Sequence, residues 1–192
     1  MGVLDSLQVV DLSHGIAGPI TGMFMADFGA QVVKIEPPQG DPSRDTPGFS
    51  MWNRGKKSVV VDPADEAQCR WLGELIAGAD ICIVRDAQTF RAFGLSHEVL
   101  RTRNARLIVL ELAPYGRTTP WLGGHESQAL LAAAGGVAWR QSGTDGGPID
   151  SVYPHLLYVQ GVWATVCAVA ALVERERSGF GQSVTVNGIQ AV

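Results

Sequence analysis

The run His14-Gly15-Ile16-Ala17-Gly18-Pro19 combines what a phosphate or nucleotide site needs: glycines that let a ligand approach the backbone, and a proline suited to the first turn of a helix. If a strand precedes this run and a helix follows, the helix start turns unpaired N–H groups and the positive end of its dipole toward an anion. Glu36 stands where a dinucleotide-binding unit carries its ribose-binding acid, at the end of the second strand. The turn lacks a full G-x-G-x-x-G pattern, so the residues alone leave nucleotide binding and a plain tight turn equally open. The nearby cations Arg44, Arg54, Lys56 and Lys57 either serve a phosphate or solubilise the edge of a strand.

The elements that must position these residues alternate. Leu7 to Ser13 reads as a buried strand, and Ile20, Met23, Phe24 and Phe28 recur at helical spacing after Pro19. Gln31 to Ile35 is a second strand, which completes a βαβ unit. The polar, Gly- and Pro-broken segment from Gln39 to Met51 reads as a covering loop. Ser58 to Val61, Asp80 to Val84 and Leu107 to Leu112 are further strands. Between them lie a helix with Trp71, Leu72, Leu75 and Ile76 on one face and a short helix capped by Ser96. This alternation predicts an α/β fold, a Rossmann-like parallel sheet with helices on both faces.

Beyond Gly116 the expectation is a small-residue helix from Ser127 to Ala134, a loop from Gln141 to Pro148, and a long apolar helix from Leu156 ending at Ser178-Gly179. Gln160, Gly161 and Thr165 inside that helix favour a core position over a membrane span. Gln182 to Val186 is a last strand, and the helix that Asn187 would cap has barely begun at Val192, so a chain truncated at its C-terminus is expected.

Composition limits the function classes. The 192 residues are 46% hydrophobic and 18% charged, enough for one domain with a proper core. With 15 basic and 19 acidic residues the formal charge is −4, and no basic run exceeds Arg54-Gly55-Lys56-Lys57, which argues against nucleic acid. The acids Asp5 and Asp11 do not belong to a signal peptide, and Cys69, Cys82 and Cys167 lack metal-ligand spacing, so free thiols in a cytoplasmic protein and no metal are expected.

Several runs carry a family resemblance. Val9-Val10-Asp11-Leu12-Ser13 with Ala17-Gly18-Pro19, Ala26-Asp27-Phe28-Gly29-Ala30, Val33-Lys34-Ile35-Glu36-Pro37-Pro38, Gly40-Asp41-Pro42-Ser43-Arg44, and Asn53-Arg54-Gly55-Lys56-Lys57-Ser58 resemble the class III CoA-transferases of the CaiB/BaiF type. The family includes formyl-CoA and carnitine CoA-transferases and α-methylacyl-CoA racemases. The match continues through Asn104-Ala105-Arg106-Leu107-Ile108 and Glu174-Arg175-Glu176-Arg177-Ser178-Gly179 and spans nearly the whole chain as a large, N-terminal domain over 1–192. The resemblance implies coenzyme A or an acyl-CoA as substrate, with no permanently bound cofactor, and two interlocked subunits or a second family domain as partner. It implies binding at His14, Ile16, Ala17, Gly18, Pro19, Glu36, Pro37, Arg44, Asn53, Arg54, Lys56 and Lys57.

Two departures from the pattern matter. In the transferases an aspartate attacks the acyl-CoA to form a mixed anhydride and then an enzyme-bound CoA thioester. Counting back from Gly179 through Gly161 puts that aspartate at Leu157, which cannot be a nucleophile; Asp150 is the nearest upstream acid but breaks the alignment. Gly124-His125-Glu126 resembles the racemases' G-H-D run, which makes His125 a candidate base and Glu126 its acidic neighbour. Three readings follow: a CoA-transferase, a racemase-like acyl-CoA enzyme using His125, or a non-catalytic CoA-binding half of a tandem or heteromeric enzyme. The segment Arg85-Asp86-Ala87-Gln88-Thr89-Phe90 replaces a loop that is usually glycine-rich in the family, and is read here as a loop with altered closure over the thioester.

Overall fold

A computed structural model describes residues 2–116, 126–141, 143–144 and 146–190. The first half alternates as expected: β1 (Gln8–Asp11), α1 (Ala17–Asp27), β2 (Gln31–Glu36), α2 (Phe49–Trp52), β3 (Lys57–Val60), α3 (Glu66–Ala77), β4 (Ile81–Val84), α4 (Ala87–Ala92), α5 (His97–Arg103) and β5 (Ile108–Glu111). After it come α6 (Gln128–Ala134), α7 (Val137–Arg140), α8 (His155–Ser178) and β6 (Ser183–Thr185). The strands form one parallel sheet in the order β3-β2-β1-β4-β5-β6. The order reverses between β1 and β4, so the crevice beyond their carboxyl ends is where a doubly wound sheet receives a ligand.

Helices cover both faces. On one side Met25 of α1 and Ala164, Ala168 and Ala171 of α8 pack on Val9, Ile81, Ile83 and Leu110. On the other, Leu72, Ile76, Phe90 and Leu100 pack on Val10, Cys82, Val84 and Val109. β4 and β5 are buried throughout, as central parallel strands must be.

Three local readings are corrected. The segment 39–51 does hold a helix start, because Trp52 sinks between Ile20 and Met23 and draws Phe49–Trp52 into a turn against α1. Residues 87–92 form a helix rather than a loop: Asp86 accepts from Gln88 N at 2.9 Å and Thr89 N at 3.1 Å, and Phe90 is fully buried. In α3, Leu72 and Ile76 face the core while Trp71 stays exposed.

The crossing of α1 and α8 rests on Gly161. A Cβ there would lie 2.7 Å from the Ala17 carbonyl oxygen and 2.8 Å from Ile20 Cγ2, and Thr21 Oγ1 donates across the contact to the Gly161 oxygen at 3.0 Å. Gly161→Val is therefore expected to lower unfolding stability by about 2 kcal/mol, read as a reduced urea midpoint at unchanged slope.

Helix α8 is long and apolar enough to cross a membrane by length and composition. Its inner face holds polar anchors that belong to a protein core: buried Gln160 donates to the Val186 oxygen at 3.0 Å, and buried Arg175 lies 3.0 Å from Asp80. Gly179 closes it with φ +79°.

Candidate functional site

Beneath the first crossover lies a buried network of charge. Asp11 ends β1 and pairs in register with Lys34 of β2. Lys56 Nζ lies 2.8 Å from Asp11 Oδ2 and also donates to the Pro19 oxygen at 2.8 Å and Asn53 Oδ1 at 3.0 Å. Lys34 Nζ lies 2.7 Å from Asp41 and donates to the Ser13 oxygen at 2.8 Å. Burial alone would raise Asp11; the ammonium of Lys56, with Lys34 behind it, outweighs that and holds the carboxyl below its ordinary 3.8. Burial depresses Lys56 against the opposing pull of Asp11.

Around this network the β1–α1 turn is fastened by side chains. Gly15 takes φ +81°, and a Cβ there would meet Glu126 Oε2 at 2.7 Å. Glu126 Oε1 accepts from Ile16 N at 3.0 Å and Ala17 N at 3.3 Å, while Gly15 N donates to Ser43 Oγ at 3.2 Å. The donors expected to meet a phosphate are thus met by the chain's own carboxylate and hydroxyl. Burial pushes Glu126 above 4.5 despite the two N–H bonds and the charge of Arg85, which pull the other way. His14, at the exposed rim of the turn, is lowered from 6.5 by partial burial and by Arg85, which keeps its imidazole neutral at neutral pH.

The remaining predicted binding residues fall into two groups. Gly18 and Pro19 lie buried in the first turn of α1, and Glu36, at the end of β2, is held within the chain. Its carboxylate receives Arg44 Nε and a second Arg44 nitrogen at 2.8 Å, Ser58 Oγ, and Asp41 N at 3.0 Å, so Glu36 fixes the loop after β2 rather than offering an open acid to a ribose. Burial raises its carboxyl, but Arg44 and Ser58 win and leave it below 4.5. Pro37 opens a turn closed by Gly40 N at 2.8 Å, and Asn53 follows α2. Arg54 pairs with Asp27. On the solvent side are the half-exposed Arg44 guanidinium, lying over Phe49 at 5.1 Å, and exposed Lys57. Of the predicted cations, Lys56 is inside the network, Arg44 lies half-exposed on the loop after β2, and Lys57 lies exposed at the amino end of β3.

At the expected nucleophile, Leu157 lies one turn before Gly161 and is 3% exposed. It packs with Tyr115, Leu131, Ala132, Ala138 and Leu156, and with Ile16 of the first turn. Asp150 is exposed ahead of α8. His125 lies outside the described residues. Sequence reasoning missed Asp11, Lys34 and Asp41 as one network, although a lysine inside Val32-Val33-Lys34-Ile35 was the available signal. It also missed His97 Nε2 placed 2.6 Å from Glu111 Oε1 at the end of β5, for which the sequence held no signal. Among the described residues no group of three or more His, Cys, Asp and Glu side chains could hold a metal.

Comparison with known proteins gives the relatives of this arrangement. The family model described as CoA-transferase family III matches residues 4–192. The succinyl-CoA:mesaconate CoA-transferase of Haloarcula hispanica is 34% identical over 96% of this chain and 51% of its own length. A subunit of the succinyl-CoA:(R)-benzylsuccinate CoA-transferase of Thauera aromatica is 32% identical over 96% of this chain and 48% of its own. The crystal structure of a hypothetical protein from Mycobacterium tuberculosis superposes with a TM-score of 0.90 at 30% identity, covering all of this chain and 56% of that one. The chain spans about half the length of the curated relatives it matches.

Proposed function

Because the chain belongs to CoA-transferase family III, we propose that it is the thioester-gripping half of an enzyme that moves CoA between carboxylic acids, and that it does not itself supply the anhydride-forming carboxylate. The observation that carries this reading is Leu157, sealed in an apolar cluster where the family pattern calls for an aspartate. Acyl-CoA lies across the carboxyl ends of β1 and β2, its phosphates drawn by Arg44 and its acyl end toward His14 and Glu126. The Thauera relative, named as one subunit of a transferase, supports a division of labour between two family domains. The racemase-like reading depends on His125 and has no carboxylate partner at position 157. Three free thiols, Cys69, Cys82 and Cys167, support a cytoplasmic setting.

The test has two arms. Calorimetry is expected to show binding of CoA and weaker or no binding of NAD; tighter binding of NAD would remove the reading. Incubation with an acyl-CoA followed by hydroxylamine is expected to leave every acidic side chain unmodified. A hydroxamate on Asp150 or Glu126 would return the chain to the self-sufficient transferases.

A further inference from the structure

On the CoA-binding reading, the acyl end of a bound thioester comes to the start of α1. Among the described residues, the groups there that could receive an anionic acyl tail are already engaged. Ile16 N and Ala17 N donate to Glu126 Oε1 at 3.0 and 3.3 Å, and Gly15 N donates to Ser43 Oγ at 3.2 Å. Lys34 and Lys56 are buried, 2.7 Å from Asp41 and 2.8 Å from Asp11. Arg85, which follows β4, lies 3.7 Å from Asp86. Arg44 is held by both oxygens of Glu36 and belongs to the phosphate end. Burial and the charge of Arg85 lower His14 from 6.5, so its imidazole offers no positive charge near neutral pH.

The wall beside this turn is apolar. Ile16 is half-buried and packs on two sides, with Leu157 and Tyr115 on one and with Trp52 and Tyr158 on the other. Tyr153, 56% exposed, sets its ring 4.9 Å from that of Tyr158 and carries the wall to the surface. Against the turn stands an acid: a Cβ at Gly15 would come 2.7 Å from Glu126 Oε2, so a glycine is what lets this carboxyl press so close.

We propose that Glu126 is a specificity-determining residue, and that the acyl group this chain grips is uncharged, an aliphatic or aromatic acyl chain and not the half-thioester of a dicarboxylic acid. The proposal rests on the CoA-binding reading. An anionic tail has either to displace Glu126 from the two N–H groups or to lie beside it, carboxylate against carboxylate, with no cation free of its own counter-charge among the groups named above. A neutral chain of the same length meets neither obstacle and covers Ile16 and Tyr153.

Calorimetry near neutral pH with CoA, butyryl-CoA, succinyl-CoA and the neutral methyl ester of succinyl-CoA reads the preference. Butyryl-CoA and the ester are expected to bind about tenfold or more tighter than succinyl-CoA, a modest share of what juxtaposed like charges cost. Glu126→Gln keeps an oxygen for Ile16 N and Ala17 N but has no charge, and it is expected to narrow the ratio to about threefold or less. The ester against the acid needs no variant, so the proposal is tested even where Glu126→Gln does not fold. Binding of none of the four ligands removes the CoA-binding reading and the proposal with it. Binding of CoA, with succinyl-CoA held as tightly as its ester, overturns the proposal and leaves that reading intact. A preference that Glu126→Gln retains in full overturns the role of Glu126.

Discussion

Asp11→Ala is expected to cost about 3–5 kcal/mol of folding stability, the range for removing one partner of a buried ion pair. The carboxylate is fully buried and lies 2.8 Å from Lys56, whose side chain is itself buried, with Lys34 as its in-register neighbour. Without it, two ammonium groups stay inside the protein with, among the described residues, Asp41 paired to Lys34 and no ion-pair partner left for Lys56. A loss of this size is a large part of the total stability of an ordinary domain, so chemical denaturation should show a midpoint shifted strongly downward or no folded baseline. The double variant Asp11→Ala with Lys56→Met, which removes the charge together with its partner, should recover a good part of the loss. The pH dependence has a definite sign. Asp11 is held below 3.8 in the folded chain, so its contribution is fully present above that value and is lost as pH falls through the lower folded value. The wild type should therefore lose stability in strong acid more steeply than the double variant.

This network explains why one part of the molecule was legible in the sequence and another was not. The parallel sheet could be read because β-branched runs such as Val9-Val10 and Ile81-Cys82-Ile83-Val84 fit only strands buried on both faces, and turn residues separate them from helical spacing. Ser96 and Gly179 were legible as helix ends because capping is local chemistry. The roles of the charged residues were not, because they are set by partners far along the chain. Lys56 reads as a surface cation beside Arg54 and Lys57, and only the β1–β2–β3 register brings it under Asp11. Glu126 reads as the neighbour of a candidate base, and its contact with Ile16 N and Ala17 N spans more than 100 positions, 126 against 16 and 17. Short helices fail for a related reason: α2 exists because Trp52 finds a pocket against α1, which no local propensity encodes.

Leu157→Asp, the substitution that would restore the family's acid, is expected to destabilise the chain by about 3 kcal/mol at neutral pH, the scale on which a buried unpaired carboxylate penalises folding. Leu157 is 3% exposed among Tyr115, Leu131, Ala132, Ala138 and Leu156. The base and the acid just before it along the chain do not compensate: His155 is engaged with Gln128 at 3.3 Å, and exposed Asp150 is itself an acid. The new carboxyl should therefore titrate above the ordinary carboxylate range, by desolvation. For a carboxyl raised by folding, the penalty is fully present above the folded pKa and vanishes below the unfolded one. Unfolding curves at neutral pH and near pH 4 should accordingly separate variant and wild type widely at the first and narrowly at the second. Equal separation at both would mean that the aspartate reaches solvent or an unrecognised cation. In that case hydroxylamine trapping with acyl-CoA on the variant becomes the decisive measurement, because an ionised carboxylate is the form that can attack a thioester carbonyl.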